Sequence, residues 1–408
     1  MGKNIRFIHS ADLHLDSPYK GLKGLPDRIF QDIKTSTMTA FNRLIDLAID
    51  LNVDLLLIVG DLFDQESTSI KSSLQLKKGL ERLNQQGIKV YISYGNHDYM
   101  MQDKVNLTFP ENTYVFPSHE VTNAVFEKDG ERVAEISGFS YYSQSVKERM
   151  VENYRKTSDA PYHIATLHGS LQGQDEHAVY APFSLGDLKK VDANYWALGH
   201  IHKREWIMDE PYAVYPGNIQ GRHMKETGEK GCYLVELSDH QTDLNFYSLQ
   251  EVVFTEEEIA LDNVHLIDDL IEKLQSVKKT LRQEHQKYVV RMQVHLNEAS
   301  ELTLDSEQIE DVLSVLNEEE EDEPYWIWFS ELNVQEPQII SEDLSKTNLF
   351  VSEVLQTIKQ TEDLDDYLED LLKHKIFRRH TAFDQERFQE EVKQEAEQMI
   401  LHELLRNG

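Results

Sequence analysis

Along the first half of the chain, short apolar runs alternate with longer polar or mixed stretches. Ile5–Ile8, Leu55–Val59, Val90–Tyr94, Ile164–Leu167, Tyr195–Leu198 and Tyr212–Tyr215 are rich in Ile, Val, Leu and Tyr, and each stops abruptly at polar residues. Runs of this length and composition predict buried strands. Between the first three, apolar residues recur at helical spacing: Phe41, Leu44, Ile45, Leu47 and Ala48, then Leu74, Leu76, Leu80 and Leu83. Such stripes predict helices that cover one face of a sheet. Strand–helix–strand–helix–strand in this order predicts βαβ units and a sheet that begins parallel. After Glu120 the strands follow more closely and helices thin out, so a mixed-sheet α/β fold is expected.

The pattern changes after residue 248. Val252–Phe254, Tyr288–Leu296 and Tyr325–Phe329 read as strands, separated by helical stretches near 263–283 and 305–317. That is a smaller α+β unit. The six acids Glu318–Glu323 within it predict a solvated loop or a fraying helix end. From Ser341 on, no strand is visible. Leu349, Val351, Val354, Leu355 and Ile358 form one helical stripe, Leu364, Leu368, Leu371 and Leu372 a second, and Phe388, Val392, Met399, Ile400 and Leu404 a third. No solenoid-like repeat is present. The expected organisation is therefore 1–248, 251–336 and 342–408.

Apolar residues make up 40% and charged residues 28% of the 408, which is ordinary for a folded soluble protein and rules out wholesale disorder. Charge changes the picture more. Lys and Arg number 41 against 73 Asp and Glu, a net of −32. That balance argues against a protein that simply wraps nucleic acid with a basic surface, and against docking on anionic lipid. The excess is uneven: −8 over residues 1–248 and −24 over 249–408. Cys232 is the single cysteine, so no internal disulfide exists, which fits a reducing compartment. Met1–Arg6 lacks a signal-peptide apolar run, and Arg6 stands where a myristoylation signal wants Ser or Thr. Leu55–Val59, the longest apolar run, is too short to span a bilayer. A soluble, cytoplasmic protein with no membrane partner is expected.

Five short motifs sit at the ends of the predicted strands: Asp12-Leu13-His14, Gly60-Asp61-Leu62-Phe63-Asp64, Gly95-Asn96-His97-Asp98, His168-Gly169 and Gly199-His200-Ile201-His202. In open α/β sheets the carboxyl edge of the strands is where ligands bind, so the motifs would converge there. Each alone has an ordinary explanation. An Asp at a strand end often caps the next helix, Gly-Asp and Gly-Asn-His-Asp can be turn chemistry, and His168 by itself reads as a satisfied structural histidine. Gly-His-x-His is harder to dismiss, because alternate residues beside a strand face one way. Together the motifs supply carboxylate, imidazole and one amide, with no thiolate, a donor set suited to Mn²⁺, Fe²⁺ or Zn²⁺. Seven candidate ligands are too many for one ion but natural for two sharing a bridging carboxylate. Two metals about 3.5–4 Å apart can activate a bridging water and stabilise the attacking and leaving oxygens of a phosphoryl group.

In this order, the five motifs resemble those of the calcineurin-like metallophosphoesterase superfamily over residues 4–235. More narrowly, His9-Ser10-Ala11-Asp12-Leu13-His14-Leu15, Gly60-Asp61-Leu62-Phe63-Asp64 and Leu198-Gly199-His200-Ile201-His202 resemble the SbcD-type DNA repair exonuclease subunits. Tyr215-Pro216-Gly217-Asn218-Ile219-Gln220-Gly221-Arg222-His223 is similar to a YhaO-like branch of that group. The resemblance implies a four-layer sandwich, two mixed sheets flanked by helices, with an α+β capping domain and a helical tail. It implies Asp12, His14 and His202 on a first metal, Asp61 as the bridge, and Asn96, His168 and His200 on a second. It further implies that a hydroxide bridging the metals attacks a DNA phosphodiester, that His97 protonates the leaving oxygen, and that Asp64 orients His97. Archaeal and eukaryotic relatives carry histidine at that last place; here it is Asp64, as in the wider superfamily. Mn²⁺ is the expected metal.

Residues 251–336 match the position of the group's capping domain. Residues 342–408 stand where this group carries a helical segment that binds an SMC-like ABC ATPase of the SbcC or YhaN kind; the other reading is that these helices pack back on the cap. That ATPase is not part of this chain, which contains no Gly-Lys-Ser/Thr phosphate loop. The resemblance also implies a homodimer, for which apolar residues of 141–154 are the candidates. Lys203, Arg204, Arg222, His223 and Lys225 are candidate phosphate contacts. The basic island 373–380 is expected to pair with neighbouring acids. Two other readings stand beside the nuclease: a phosphodiesterase or phosphatase for a small nucleotide or phosphoprotein, and a scaffold with a weak metal site. If two divalent ions neutralise Asp12 and Asp61, residues 1–248 move from −8 to about −4. Grip on DNA is then expected to be weak, salt-sensitive and strengthened by a partner.

Overall fold

A computed structural model describes residues 4–19, 24–64, 69–99, 108–173, 180–297, 300, 302–335 and 349–360, and positions 392, 393, 396 and 400. The first expected strands form as read: β1 (Ile5–Ala11), β2 (Leu55–Val59) and β3 (Lys89–Ser93). Helices α1 (Asp27–Asp50) and α2 (Ile70–Gln85) connect them, and α2 starts where the Ser69 hydroxyl accepts the Ser72 N–H. β1, β2, β3 and β4 (Thr113–Val115) run parallel in register. β11 (Gly231–Leu237) joins β1 antiparallel, and β12 (Thr242–Ser248) follows it at the edge. The resulting sheet has the order β12-β11-β1-β2-β3-β4.

The second sheet has the order β5-β6-β7-β8-β10-β9. Its strands are β5 (Thr122–Lys128), β6 (Glu131–Gly138), β7 (Tyr162–His168), β8 (Tyr195–Gly199), β9 (Glu205–Asp209) and β10 (Tyr212–Tyr215). Facing aliphatic and aromatic side chains close the space between the sheets: Phe7, Leu55, Leu57 and Val59 from one, Ile136, Ile164, Tyr195 and Val214 from the other. Burying each such side chain stabilises the fold by about 1.5–3 kcal/mol. A second cluster lies under α1 and α2, with Phe41, Leu44, Leu76 and Leu80 against Leu56 and Ile58. A third covers the far face of the second sheet, built on Tyr141, Met150, Tyr154, Phe183, Leu188 and Trp196. The order helix, sheet, sheet, helix is the expected four-layer sandwich. It also explains why the strands read as unbroken apolar runs, because β1, β2 and β7 are covered on both faces.

The expected strand–helix–strand–helix–strand order is found after residue 248: β13 (Val252–Leu261), α3 (Ile267–Arg282), β14 (Lys287–Leu296), α4 (Ser306–Asn317) and β15 (Ile327–Gln335). Its three strands form one sheet. The chain divides into two compact units, Met1–Glu257 with Leu274–Met292 and Leu313–Glu331, and Glu258–Lys273 with Gln293–Val312 and Leu332–Gly408. In the first, Lys287 bridges Asp32 and Glu251 at 2.8 and 2.7 Å, and the Trp326 indole N–H donates to Asp32. In the second, Val264 N–H donates to the Ser300 hydroxyl and His295 lies 2.8 Å from Glu258.

Two expectations are corrected here. Within the acidic run, Glu320 is buried and ion-paired with Lys278 and Arg282 at 2.6 and 2.5 Å, and it accepts the Ile327 N–H. A buried carboxylate with that many donors is a structural anchor. The apolar residues of 141–154 are not a dimer surface: Tyr141, Val146, Met150, Val151 and Tyr154 all face the third cluster. Leu349–Gln360 is helical, as are Val392 and Ile400. The second stripe and the basic island 373–380 lie outside the described residues, as does most of the expected partner segment. Among the described residues, no helix is long and apolar enough to cross a membrane.

Candidate metal centre

The five motifs meet at one edge of the sandwich because the parallel strands β1, β2, β3, β7 and β8 all end there. Backbone bonds continue the sheet into the loops: Asp12 N–H to Gly60 O, His14 N–H to Asp61 O and Leu15 N–H to Leu62 O. Asp12, His14, Asp61 and His200 all have positive φ, at 51°, 42°, 50° and 99°. Non-glycine residues held there cost about 1–3 kcal/mol each, which the surrounding structure must offset. Asp98 ties two motifs together by accepting the Leu62 and Gly95 N–H groups, both at 2.6 Å.

Asp12, His14, Asp61 and His202 bring their donor atoms within 4.8 Å of one another. His14 Nδ1 lies 2.9 Å from Asp64 Oδ1, and His202 Nδ1 lies 2.7 Å from Glu226 Oε1. A carboxylate can only accept, so both Nδ1 atoms carry the proton, and His14, kept neutral by burial, presents a lone pair at Nε2. The two Nε2 atoms are 3.0 Å apart. Two ring nitrogens at that distance share a proton or a metal cation. Asp61 Oδ2 stands 3.7 Å from His14 Nε2, and Asp12 Oδ1 stands 4.0 Å from His202 Nε2.

A second group shares Asp61. Its Oδ2 is 3.6 Å from His168 Nε2, close to its distance from His14 Nε2, so one carboxylate oxygen sits between two sets of donors. Asn96 Oδ1 is 2.9 Å from His168 Nε2 and 3.1 Å from His200 Nδ1. His168 Nδ1 donates to the Val59 carbonyl at 3.1 Å, which turns Nε2 toward Asp61 and Asn96. Glycines make room for this ring. A Cβ on Gly60 would lie 2.0 Å from His168 Nδ1, and one on Gly95 would lie 2.2 Å from Asp61 Oδ1. The structure brings together all seven residues proposed as ligands from sequence.

Electrostatics agree. Burial and then the Arg222 charge push the His14 imidazole down to about 4, and burial with His168 pushes His200 down to about 3. Burial likewise lowers His168. Neutral imidazoles are the competent ligand form. Burial, and then the neighbouring Asp61 charge, raise the Asp12 carboxyl well above the usual range. Burial opposes ionisation of Asp61 as well, but His168, His14 and His97 outweigh it and bring it to about 2. Two buried carboxyls shifted in opposite directions, with mutual repulsion raising one of them, fit a site that gains from added positive charge.

His97 stands apart. Its N–H donates to Asp61 Oδ1, its Nδ1 is 3.3 Å from Asp64 Oδ1, and its ring is 42% exposed. His14, Asp64 and His97 also bring donor atoms close together. Their distances of 2.9 and 3.3 Å are those of two imidazole N–H groups sharing one carboxylate oxygen. The roles of three residues are not legible in the sequence. Glu226 holds His202, Asp98 staples the motif loops, and Arg222, read as a phosphate contact, is engaged by Asp64 and Glu226. Arg204 lies over the Phe246 ring at 3.9 Å. The only signal for Glu226 was a carboxylate four residues after an arginine in a polar loop.

Sandwich and site together define a metallophosphoesterase, and the chain belongs to the calcineurin-like phosphoesterase family, whose model matches residues 5–204. It is 37% identical over 405 residues to the metallophosphoesterase YhaO of Bacillus subtilis (strain 168), covering 98% of each chain. It is 25% identical over 254 residues to the DNA double-strand break repair protein Mre11 of Methanocaldococcus jannaschii, covering 59% of this chain and 64% of that one. Over 306 residues it is 24% identical to the Mre11 of Thermoplasma acidophilum, covering 71% and 76%.

Proposed function

We propose that this chain is a dimetal nuclease that hydrolyses phosphodiester bonds in DNA. In this reading Asp12, His14 and His202 hold one divalent ion, Asn96, His168 and His200 hold the other, and Asp61 is shared. Two such ions supply Lewis acidity and charge neutralisation for a phosphoryl group. Mn²⁺ fits the hard oxygen and imidazole donors. His97, held at Nδ1 by Asp64, presents Nε2 to the scissile phosphate and delivers a proton to the leaving oxygen. The observation that carries the reading is this separate, exposed imidazole. A deoxyribose alkoxide is a poor leaving group and needs protonation, whereas an activated aryl oxide does not. The names of the Mre11 relatives add support for DNA.

The surrounding assignments belong to the same proposal: residues 251–336 as a capping element that selects substrate, and 342–408 as the segment that engages an SMC-like ATPase. With 1–248 near neutrality once loaded, binding of duplex DNA by the chain alone is weak and salt-sensitive. The test offers Mn²⁺-loaded protein linear duplex DNA, single-stranded DNA, a cyclic dinucleotide and an aryl phosphodiester, with and without such an ATPase. Degradation of DNA is expected. Hydrolysis of the aryl ester or the cyclic dinucleotide alone, with DNA untouched even in the presence of the ATPase, overturns the reading in favour of a small-nucleotide phosphodiesterase.

A further inference from the structure

Arg222 lies in the loop between β10 and β11, and its side chain is only 14% exposed. Its Nη1 donates to both oxygens of Asp64, at 3.4 and 3.2 Å. Its Nη2 donates to Glu226 Oε1 at 3.1 Å, and its own backbone N–H donates to Glu226 Oε2 at 2.8 Å. Nη2 and His202 Nδ1 sit 3.1 Å apart as two donors converging on the same Glu226 oxygen. One guanidinium therefore joins the carboxylate that holds His14 and His97 to the carboxylate that holds His202. Lys230 supports the same loop by donating to the His202 carbonyl at 2.9 Å, and Asn218 donates to Glu226 Oε2 at 2.9 Å.

We propose that Arg222 is a positioning residue that locks Asp64 to Glu226, so that the His97 proton donor and the His202 imidazole are aligned as one unit. The planar fork matters, because it satisfies two carboxylates at once where a single ammonium reaches one. A guanidinium committed in this way has little left for substrate phosphate. The role of His97 rests on the function proposed above; the effect on His202 does not.

The experiment uses the full chain with Arg222→Gln and Arg222→Lys. Mn²⁺ binding is titrated calorimetrically without substrate. Steady-state kinetics are measured at saturating Mn²⁺ on bis(p-nitrophenyl) phosphate, whose leaving group needs no proton, and on a dithymidine phosphodiester, whose leaving group does. For Arg222→Gln, affinity for one of the two ions is expected to fall about 10–100-fold, the range for loss of a group that orients a ligand. Its kcat on the dithymidine ester is expected to fall by a further factor not seen on the aryl ester, with KM unchanged on both. Arg222→Lys, which keeps the charge in the buried cluster, is expected to fall between the two and decides the matter if Arg222→Gln does not melt cooperatively. A raised KM with unchanged kcat and unchanged metal affinity would make Arg222 a phosphate contact and overturn the proposal. Equal loss on both esters with unaltered metal binding would do the same, as a merely structural role. If the wild type hydrolyses neither ester, the nuclease reading fails while the metal titration still tests the clamp.

Discussion

The two halves of the metal centre are built by different physics. His14 and His202 are held by the carboxylates Asp64 and Glu226, and a guanidinium ties those carboxylates together. His168 is held by a backbone carbonyl and by absent side chains, since Gly60, Gly95 and Gly199 leave its ring just enough room. The first half is charged, partly open at His202 and His97, and depends on a network. The second is neutral, buried and depends on shape. Electrostatic positioning tunes ligand basicity and can respond to substrate and protons. Steric positioning fixes geometry and is tolerant of ionic conditions but of no added atom. A site with one half of each kind places its shared carboxylate, Asp61, between a rigid wall and an adjustable one.

Two substitutions should split the halves most widely. His97→Asn removes the exposed imidazole of the charged half. Turnover of DNA should fall by about 10²–10⁴-fold, the usual contribution of a general acid, while metal stoichiometry by elemental analysis stays at two. Loss of metal in parallel would make His97 a ligand and would refute the division of labour around Asp64. Gly60→Ala attacks the other wall. Its Cβ would meet His168 Nδ1 at 2.0 Å in a backbone of φ +82°. Overpacking of this kind costs about 1–3 kcal/mol, and a left-handed alanine about 1–2 more. Urea unfolding of the metal-free protein should register that loss, and the loaded protein should retain one ion instead of two. A variant that is as stable as wild type with both ions bound would show that the second half is not held by shape.

Much of this centre was legible in the sequence for a simple reason. Parallel strands that end at one edge bring whatever follows them together, so Asp12, Asp61, Asn96, His168 and His200 could be placed from strand order alone. Residues whose roles depend on side chains crossing the fold were not legible. Arg222 meets Asp64 across 158 residues of chain, and no local pattern announces that. Asp98 looked like part of a turn, but it closes two loops from inside. Glu320, in a run of six acids, was read as solvated because charge runs usually are. Its burial depends on Lys278 and Arg282 presented by α3. The apolar residues of 141–154 carried no sign of which surface they cover; the third core cluster consumes them.

The network half can be sharpened by a gentler change. Glu226→Gln keeps the shape and removes the anionic partner of His202, whose Nδ1 lies 2.7 Å from it. Affinity for one ion should weaken about 10–100-fold, with the other ion unaffected. Excess Mn²⁺ should then restore most activity, which separates loss of metal from loss of proton transfer. If both ions weaken equally, the halves are coupled more tightly than their hydrogen bonds suggest.

The smallest expected effect concerns protons and also distinguishes the two halves. The imidazoles of His14 and His200 are pushed down to about 4 and about 3, so at pH 6–8 they are already neutral and release nothing when a cation arrives. Asp12 is raised well above the ordinary carboxyl range by burial and then by Asp61, so below that raised pKa a cation must displace its proton. The sign follows from linkage. A carboxyl with a raised pKa in the metal-free state makes metal affinity rise with pH until that pKa is passed, by at most about tenfold per pH unit for one proton. Calorimetric titration of Mn²⁺ in buffers of different ionisation enthalpy should therefore show about one proton released for the ion beside Asp12, and close to none for the ion held by His168 and Asn96. Release of two or more protons would mean that the imidazoles are charged before metal binds. The neutral, shape-held character assigned to the second half would then be wrong.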